Sequence, residues 1–91
     1  MIKILMPAVS PTMVSGRLVK WCVRVGDTLR ASMIIADVET DIAVIEYEYT
    51  GEDGVLGKIL LAEGGSAPSN DVIAVVLEAG EDRSVLAALP D

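Results

Sequence analysis

The 91-residue sequence predicts an all-β domain, a flattened β-barrel or sandwich of two roughly four-stranded antiparallel sheets with internal pseudo-two-fold symmetry. Three observations carry that expectation. Val, Ile, Leu and Ala dominate a composition that is 52% apolar and contains no Phe, and such β-branched richness favours strands. Between residues 44 and 49, Ile45, Tyr47 and Tyr49 alternate with Val44, Glu46 and Glu48, the period-two pattern of a strand with one buried face. Residues 16–39 superpose without a gap on residues 54–77, so that Gly16 falls on Gly54, Leu18 on Leu56, Lys20 on Lys58, Gly26 on Gly64, Ile35 on Ile73 and Val38 on Val76.

Taken in order, Ile2 to Met6 supplies a first strand. Gly16 opens the first repeat unit, which runs through a strand of about seven residues, the turn Val25-Gly26-Asp27, a polar loop and a second apolar strand ending at Glu39. A tight turn around Thr40 and Asp41 leads into Val44 to Tyr49, whose tyrosines should face inward and whose glutamates should face water. Gly54 opens the second unit, with Glu63-Gly64-Gly65 as its turn. Neither unit can bury an apolar face alone, so the two should pack face to face, giving about seven or eight strands and no substantial helix. Residues 1–80 are expected to form one domain with one core, since a chain this short buries only ~60–65% of its unfolded surface. Residues 81–91 turn acidic and then Ala-, Leu- and Pro-containing, and read as a tail or the start of an interdomain linker. One unit ends in a hairpin and the other in the chain's exit, so the two-fold axis should set hairpin tip and exit at opposite ends.

Composition removes several function classes. Without His the chain builds neither a Ser-His-Asp or Cys-His set nor a histidine metal site. No acid-base pair emerges from the spacing either, so no catalytic or metal-ligating residue is expected. Cys22, the only cysteine, permits no internal disulfide, and its plain reading is a small apolar residue within a strand. Fourteen acidic against seven basic residues give a net charge of −7, which repels phosphate backbones and anionic lipid, so neither nucleic acid nor membrane is an expected partner. No apolar run approaches the ~20 residues of a membrane span, and Met1 to Pro7 is too short in its apolar part for a secretory signal. The expected location is the bacterial cytoplasm, or the mitochondrial matrix for a trimmed eukaryotic chain, with the domain monomeric in isolation.

Ile42 is out of place. A β-branched apolar residue at a turn tip gains nothing from burial and is disfavoured locally, so something other than folding stability accounts for it. Val44, two residues on, should point the same way; the plain reading is two isolated surface apolar residues, and the sharper one is a small hydrophobic tip.

The runs Met6-Pro7-Ala8-Val9-Ser10-Pro11-Thr12-Met13, Gly16, Lys20-Trp21, Gly26-Asp27, Glu39-Thr40-Asp41 with Ala43, and Gly54-Val55-Leu56-Gly57-Lys58-Ile59 with Glu63-Gly64 together resemble the lipoyl domains of 2-oxo acid dehydrogenase complexes. The likeness is greatest to those of the dihydrolipoamide acetyltransferase component of pyruvate dehydrogenase. It implies the barrel-sandwich hybrid fold and a swinging-arm carrier. In that family a lipoate ligase joins lipoate to a lysine at the hairpin tip, and the arm then visits the decarboxylase, the acyltransferase core and the dihydrolipoyl dehydrogenase. The cofactor carries the chemistry and the domain presents it.

Within the family's Glu-Thr-Asp-Lys-Ala, the lysine falls where this chain has Ile42, flanked by Asp41 and Ala43. Isoleucine offers no amine to an activated carboxyl. No cofactor is therefore expected on the chain as it stands, lipoate being implied only if residue 42 were Lys. Lys3, Lys20 and Lys58 fall on strands away from the hairpin. Biotin carriers share the fold but set their lysine between methionines. The resemblance assigns partner recognition to Glu39, Thr40, Ser10, Pro11, Thr12 and Met13. Two functions stay open: a carrier domain whose attachment lysine has been replaced, in the laboratory or by drift, and a naturally unmodified protein-binding module that docks to or regulates a component of such a complex.

Overall fold

Eight strands and no helix make up the computed structural model over the residues it describes, 1–78, 80 and 81. They are β1 (Ile2–Leu5), β2 (Ser15–Trp21), β3 (Thr28–Leu29), β4 (Ile34–Glu39), β5 (Val44–Glu48), β6 (Gly54–Ile59), β7 (Ser66–Pro68) and β8 (Val72–Glu78). Two antiparallel four-stranded sheets result, ordered β1-β8-β6-β3 and β5-β4-β2-β7. The shift that lays Gly16 on Gly54 carries β2 onto β6, β3 onto β7 and β4 onto β8. With β1 matched to β5, replacing each strand of the first sheet by its counterpart reproduces the order of the second. Beyond Glu81, the expected tail or linker lies outside the described residues.

The glycine turns bind the halves reciprocally. Gly26 N donates to Leu56 O at 2.8 Å and Leu56 N to Asp27 O at 2.9 Å; in the related pair, Gly64 N donates to Leu18 O at 2.7 Å and Leu18 N to Gly65 O at 2.8 Å. Gly26 and Gly64 take φ of 98° and 85°, a region costly for a residue with a Cβ. Ser32 and Asn70, separated by the same shift, also have positive φ, 74° and 76°.

Apolar side chains from both sheets fill the space between them. Met6, Leu18, Leu29, Ile35, Leu56 and Ile73 are among those fully buried. Along β5 the alternation holds: Ile45 and Tyr47 are half-buried, Tyr49 just beyond is buried, and Val44, Glu46 and Glu48 are exposed. Trp21 is half-buried and donates its indole N–H to Leu61 O at 2.8 Å, tying the end of β2 to the loop before β7.

Cys22 departs from its expected place. It lies in the bend after β2 and is exposed. The β2–β4 ladder slips between Leu18 and Lys20, and that bulge resets the alternation, so that Trp21 and Val23 turn inward and Lys20 and Cys22 outward.

Candidate functional site: the β4–β5 hairpin and the loop beside it

The last paired residues of the hairpin are Glu39 and Val44, and the chain reverses over Asp41 and Ile42. One hydroxyl builds the turn. Thr40 Oγ1 donates to Ala43 O at 2.6 Å and accepts from Ile42 N at 3.2 Å and Ala43 N at 3.1 Å, while Thr40 N donates to Ala43 O at 2.9 Å. Neither Asp41 nor Ile42 has a positive φ. The turn therefore needs no glycine, and a β-branched residue stands at the tip without the strain that a primed hairpin turn would impose. Ile42 is 73% exposed and Val44 56%.

The loop between β1 and β2 reaches the same tip. Ser10 Oγ donates to Asp41 Oδ2 at 2.8 Å and Thr12 Oγ1 donates to the same oxygen at 3.2 Å, with the two hydroxyls 3.3 Å apart and Pro11 exposed between them. Met13 is different from its neighbours. It is buried beneath the loop, its sulfur accepting from Val9 N at 3.4 Å, so it supports the loop and presents no surface to a partner. Gly16 makes that packing possible: a Cβ there would stand 2.7 Å from Met6 Sδ and 2.9 Å from Met13 Cε. The structure thus brings Ser10, Thr12, Thr40, Asp41, Ile42 and Ala43 to one place. Glu39 sits on the flank, its Oε1 accepting from Arg17 Nε at 3.3 Å.

A shallow depression of about 320 Å³ adjoins the turn, lined by Val14, Arg17, Glu39, Thr40, Asp41 and Ser66 among others. The pseudo-two-fold axis gives it a counterpart of about 490 Å³ where the chain leaves the domain. There Gly54 stands for Gly16 and Thr28 for Ser66, while Val55 and Leu77 take the places of Arg17 and Glu39. The two ends share a backbone plan and differ in one feature: the Arg17–Glu39 ion pair beside the hairpin is replaced at the exit by the apolar pair Val55 and Leu77, with Asp53, Glu78 and Glu81 around it.

At the exit, the Met1 ammonium lies 2.6 Å from Glu81 Oε1 and 3.3 Å from Glu78 Oε1. The hydrogen bond to Glu81 is the main cause raising the ammonium pKa, and the same bond lowers that of the Glu81 carboxyl. Strand β1 runs from this cluster to the loop that meets Asp41, so hairpin and exit lie towards opposite ends of it. Among the described residues no group of three or more Cys, Asp or Glu could hold a metal ion, and every buried side-chain N or O has a hydrogen-bond partner.

Comparison with known proteins bears on the same segment. The model of a family described as "Biotin-requiring enzyme" matches residues 2–76. The chain is 49% identical over 88 residues to the dihydrolipoyllysine-residue acetyltransferase component of pyruvate dehydrogenase complex of Zymomonas mobilis, an overlap of 96% of this chain and 20% of that protein. To the protein of the same name from Rickettsia bellii it is 45% identical over 84 residues, 91% of this chain and 20% of the relative. To the pyruvate dehydrogenase E1 component subunit beta of Rhizobium meliloti it is also 45% identical over 84 residues, covering 91% and 18%. The chain spans about a fifth of the length of these relatives.

Proposed function

This chain belongs to the Biotin_lipoyl family as a lipoyl-type domain, and on that premise we propose that it is the carrier domain of a pyruvate-class 2-oxo acid dehydrogenase complex in a form that cannot be lipoylated. The observation that carries this reading is the exposed two-residue turn built by Thr40, with the side chain of residue 42 projecting from its tip. A lysine there would hold an amine well clear of the domain for a ligase; isoleucine supplies no nucleophile. The other lysines do not substitute. Lys3 and Lys58 flank Val75 in mid-sheet, and Lys20 lies opposite Asp37. The domain itself is non-catalytic, and lipoate is the cofactor that a lysine at 42 would take.

Relatives named as an acetyltransferase component and as a pyruvate dehydrogenase E1 component subunit beta both contain the matching segment, so either type of subunit fits as the parent. The partners in this reading are the decarboxylase, acyltransferase core and dihydrolipoyl dehydrogenase of the complex, with the lipoate ligase, in the bacterial cytoplasm. The test is intact mass after incubation with lipoate ligase, ATP and lipoate, run on this chain and on Ile42→Lys. No adduct is expected on the first and one lipoyl adduct on the second. A lipoyl mass on the unsubstituted chain would overturn the assignment of residue 42. A folded Ile42→Lys that stays unmodified favours the second reading, a naturally unmodified binding module, which the exposed apolar pair Ile42 and Val44 supports.

A further inference from the structure

We propose that the apolar run Val85 to Leu89 folds back on the outer face of the β1-β8-β6-β3 sheet and covers Val55 and Leu77 at the exit. The inference is independent of residue 42. Three observations support it.

The first is an asymmetry between the two halves. Ala74 and Val76 of β8 face the core, while Val75 and Leu77, alternating with them, face away from it. Both faces of β8 are nonetheless apolar, the composition of a strand covered on each side. Lys3 and Lys58 flank Val75, but Leu77 is paired with Val55, which is 36% exposed, and both line the depression of about 490 Å³. The other sheet shows that the fold does not require an apolar surface there. The repeat shift puts Arg17, Asp37 and Glu39 in the places of Val55, Val75 and Leu77.

The second is topology. After Glu39 the chain turns back and pairs as β5 against β4. The matching stretch after β8 is residues 82–86, but β1 already holds the corresponding place beside β8 and β6 holds the other side. The continuing chain therefore has a face of β8 to pack on, and no free edge. The third is reach and chemistry. Val85, Leu86, Ala87, Ala88 and Leu89 form an unbroken apolar run. Glu81 itself lines the depression, and Val85, four residues further on, lies within ~14 Å of it along the chain. Arg83, the one cation between residues 82 and 91, complements the carboxylates of Asp53 and Glu78 at the rim. A tether this short gives the run an effective concentration of about millimolar, ahead of a second copy in dilute solution.

The test is methyl NOE spectroscopy with backbone relaxation on the full 91-residue chain. NOEs are expected from the methyls of Leu86 and Leu89 to those of Val55 and Leu77, unchanged on dilution. Order parameters over residues 85–89 should approach about 0.8, near those of a rigid backbone. Leu86→Asp combined with Leu89→Asp should abolish the NOEs, lower those order parameters below about 0.6 and shift the Val55 and Leu77 methyl resonances. Val55→Arg, which copies Arg17 at the equivalent position, should release the run while leaving its sequence intact. Thermal unfolding of each variant confirms that the domain still folds. A parent chain with no such NOEs, or a run that stays ordered in both variants, overturns the proposal. NOEs found only between differently labelled chains in a mixed sample also overturn it, and assign the face to a second copy. Lipoylation of Ile42→Lys has no bearing on these outcomes, so the carrier reading and this contact stand or fall separately.

Discussion

The carboxylate of Asp41 accepts a hydrogen bond from the hydroxyl of Ser10 at 2.8 Å, joining two exposed segments 31 residues apart. Thr12 adds a second bond to the same oxygen. The pairing makes the hairpin tip and the β1–β2 loop one surface, so that whatever binds the loop also finds residue 42 at a fixed place.

Asp41→Ala should therefore loosen the loop without unfolding the domain. The bonds are exposed and each is worth about 1 kcal/mol or less, so the loss of global stability is small. Local opening is where the effect should show: amide exchange at Val9 and Met13, which bond within the loop, should quicken while β8 amides keep their protection. Unchanged exchange in that loop would show that Asp41 is not its brace.

The two symmetry-related glycines should answer differently to alanine. At Gly54 a Cβ would lie 2.6 Å from both Leu77 O and Val76 Cγ1, and the backbone oxygen of a central strand cannot move aside. Overpacking of this kind costs about 1–3 kcal/mol. At Gly16 the nearest atoms are the ends of Met6 and Met13, which adapt more readily. Urea denaturation should rank Gly54→Ala below Gly16→Ala in stability; the reverse order would refute the steric account.

Stability should fall on the alkaline side through the Met1 cluster. The ammonium pKa is raised above 8.0, chiefly by the hydrogen bond to Glu81, so its contribution is complete below 8.0 and is lost as pH rises through the raised value. The Glu81 carboxyl is lowered below 4.5 by the same bond, so its contribution is present above 4.5 and is lost as pH falls through the lowered value. Acetylating the Met1 amine should remove the alkaline component and leave a later decline above 10.0, where Tyr47 and Tyr49, their pKa raised by burial, begin to ionise in the unfolded chain. Equal pH profiles for the free and acetylated chains would show that the cluster contributes nothing. The pair is exposed, so the effect is modest and shrinks with salt.

Much of this was legible in the sequence because it is periodic. The shift that matches Gly26 to Gly64 foretold two like sheets, and the alternation from Val44 to Tyr49 foretold which way the tyrosines face. Features that depend on one irregular residue were not legible. The slip after Leu18 leaves no mark in composition, and it sends Cys22 outward. Ser32 and Asn70 are equivalent turn positions filled by unlike residues, so the match is visible only in their φ values. At the candidate site, the turn could be read from Thr40 and Asp41, but its attachment to Ser10 could not, because that bond joins side chains whose separation the fold alone determines. Met13 had the reverse fate: its place in an exposed run hid a buried role.

The reciprocal bonds at the glycine turns also bear on how the domain melts. Because the bend at Gly26 is closed by Leu56 and the bend at Gly64 by Leu18, each half of the polypeptide completes the other's loop. A partly molten form that keeps only one half would leave that half's own bend unsupported. Unfolding is accordingly expected to be all-or-none, and a cut between β5 and β6 should yield two fragments that regain structure only when mixed.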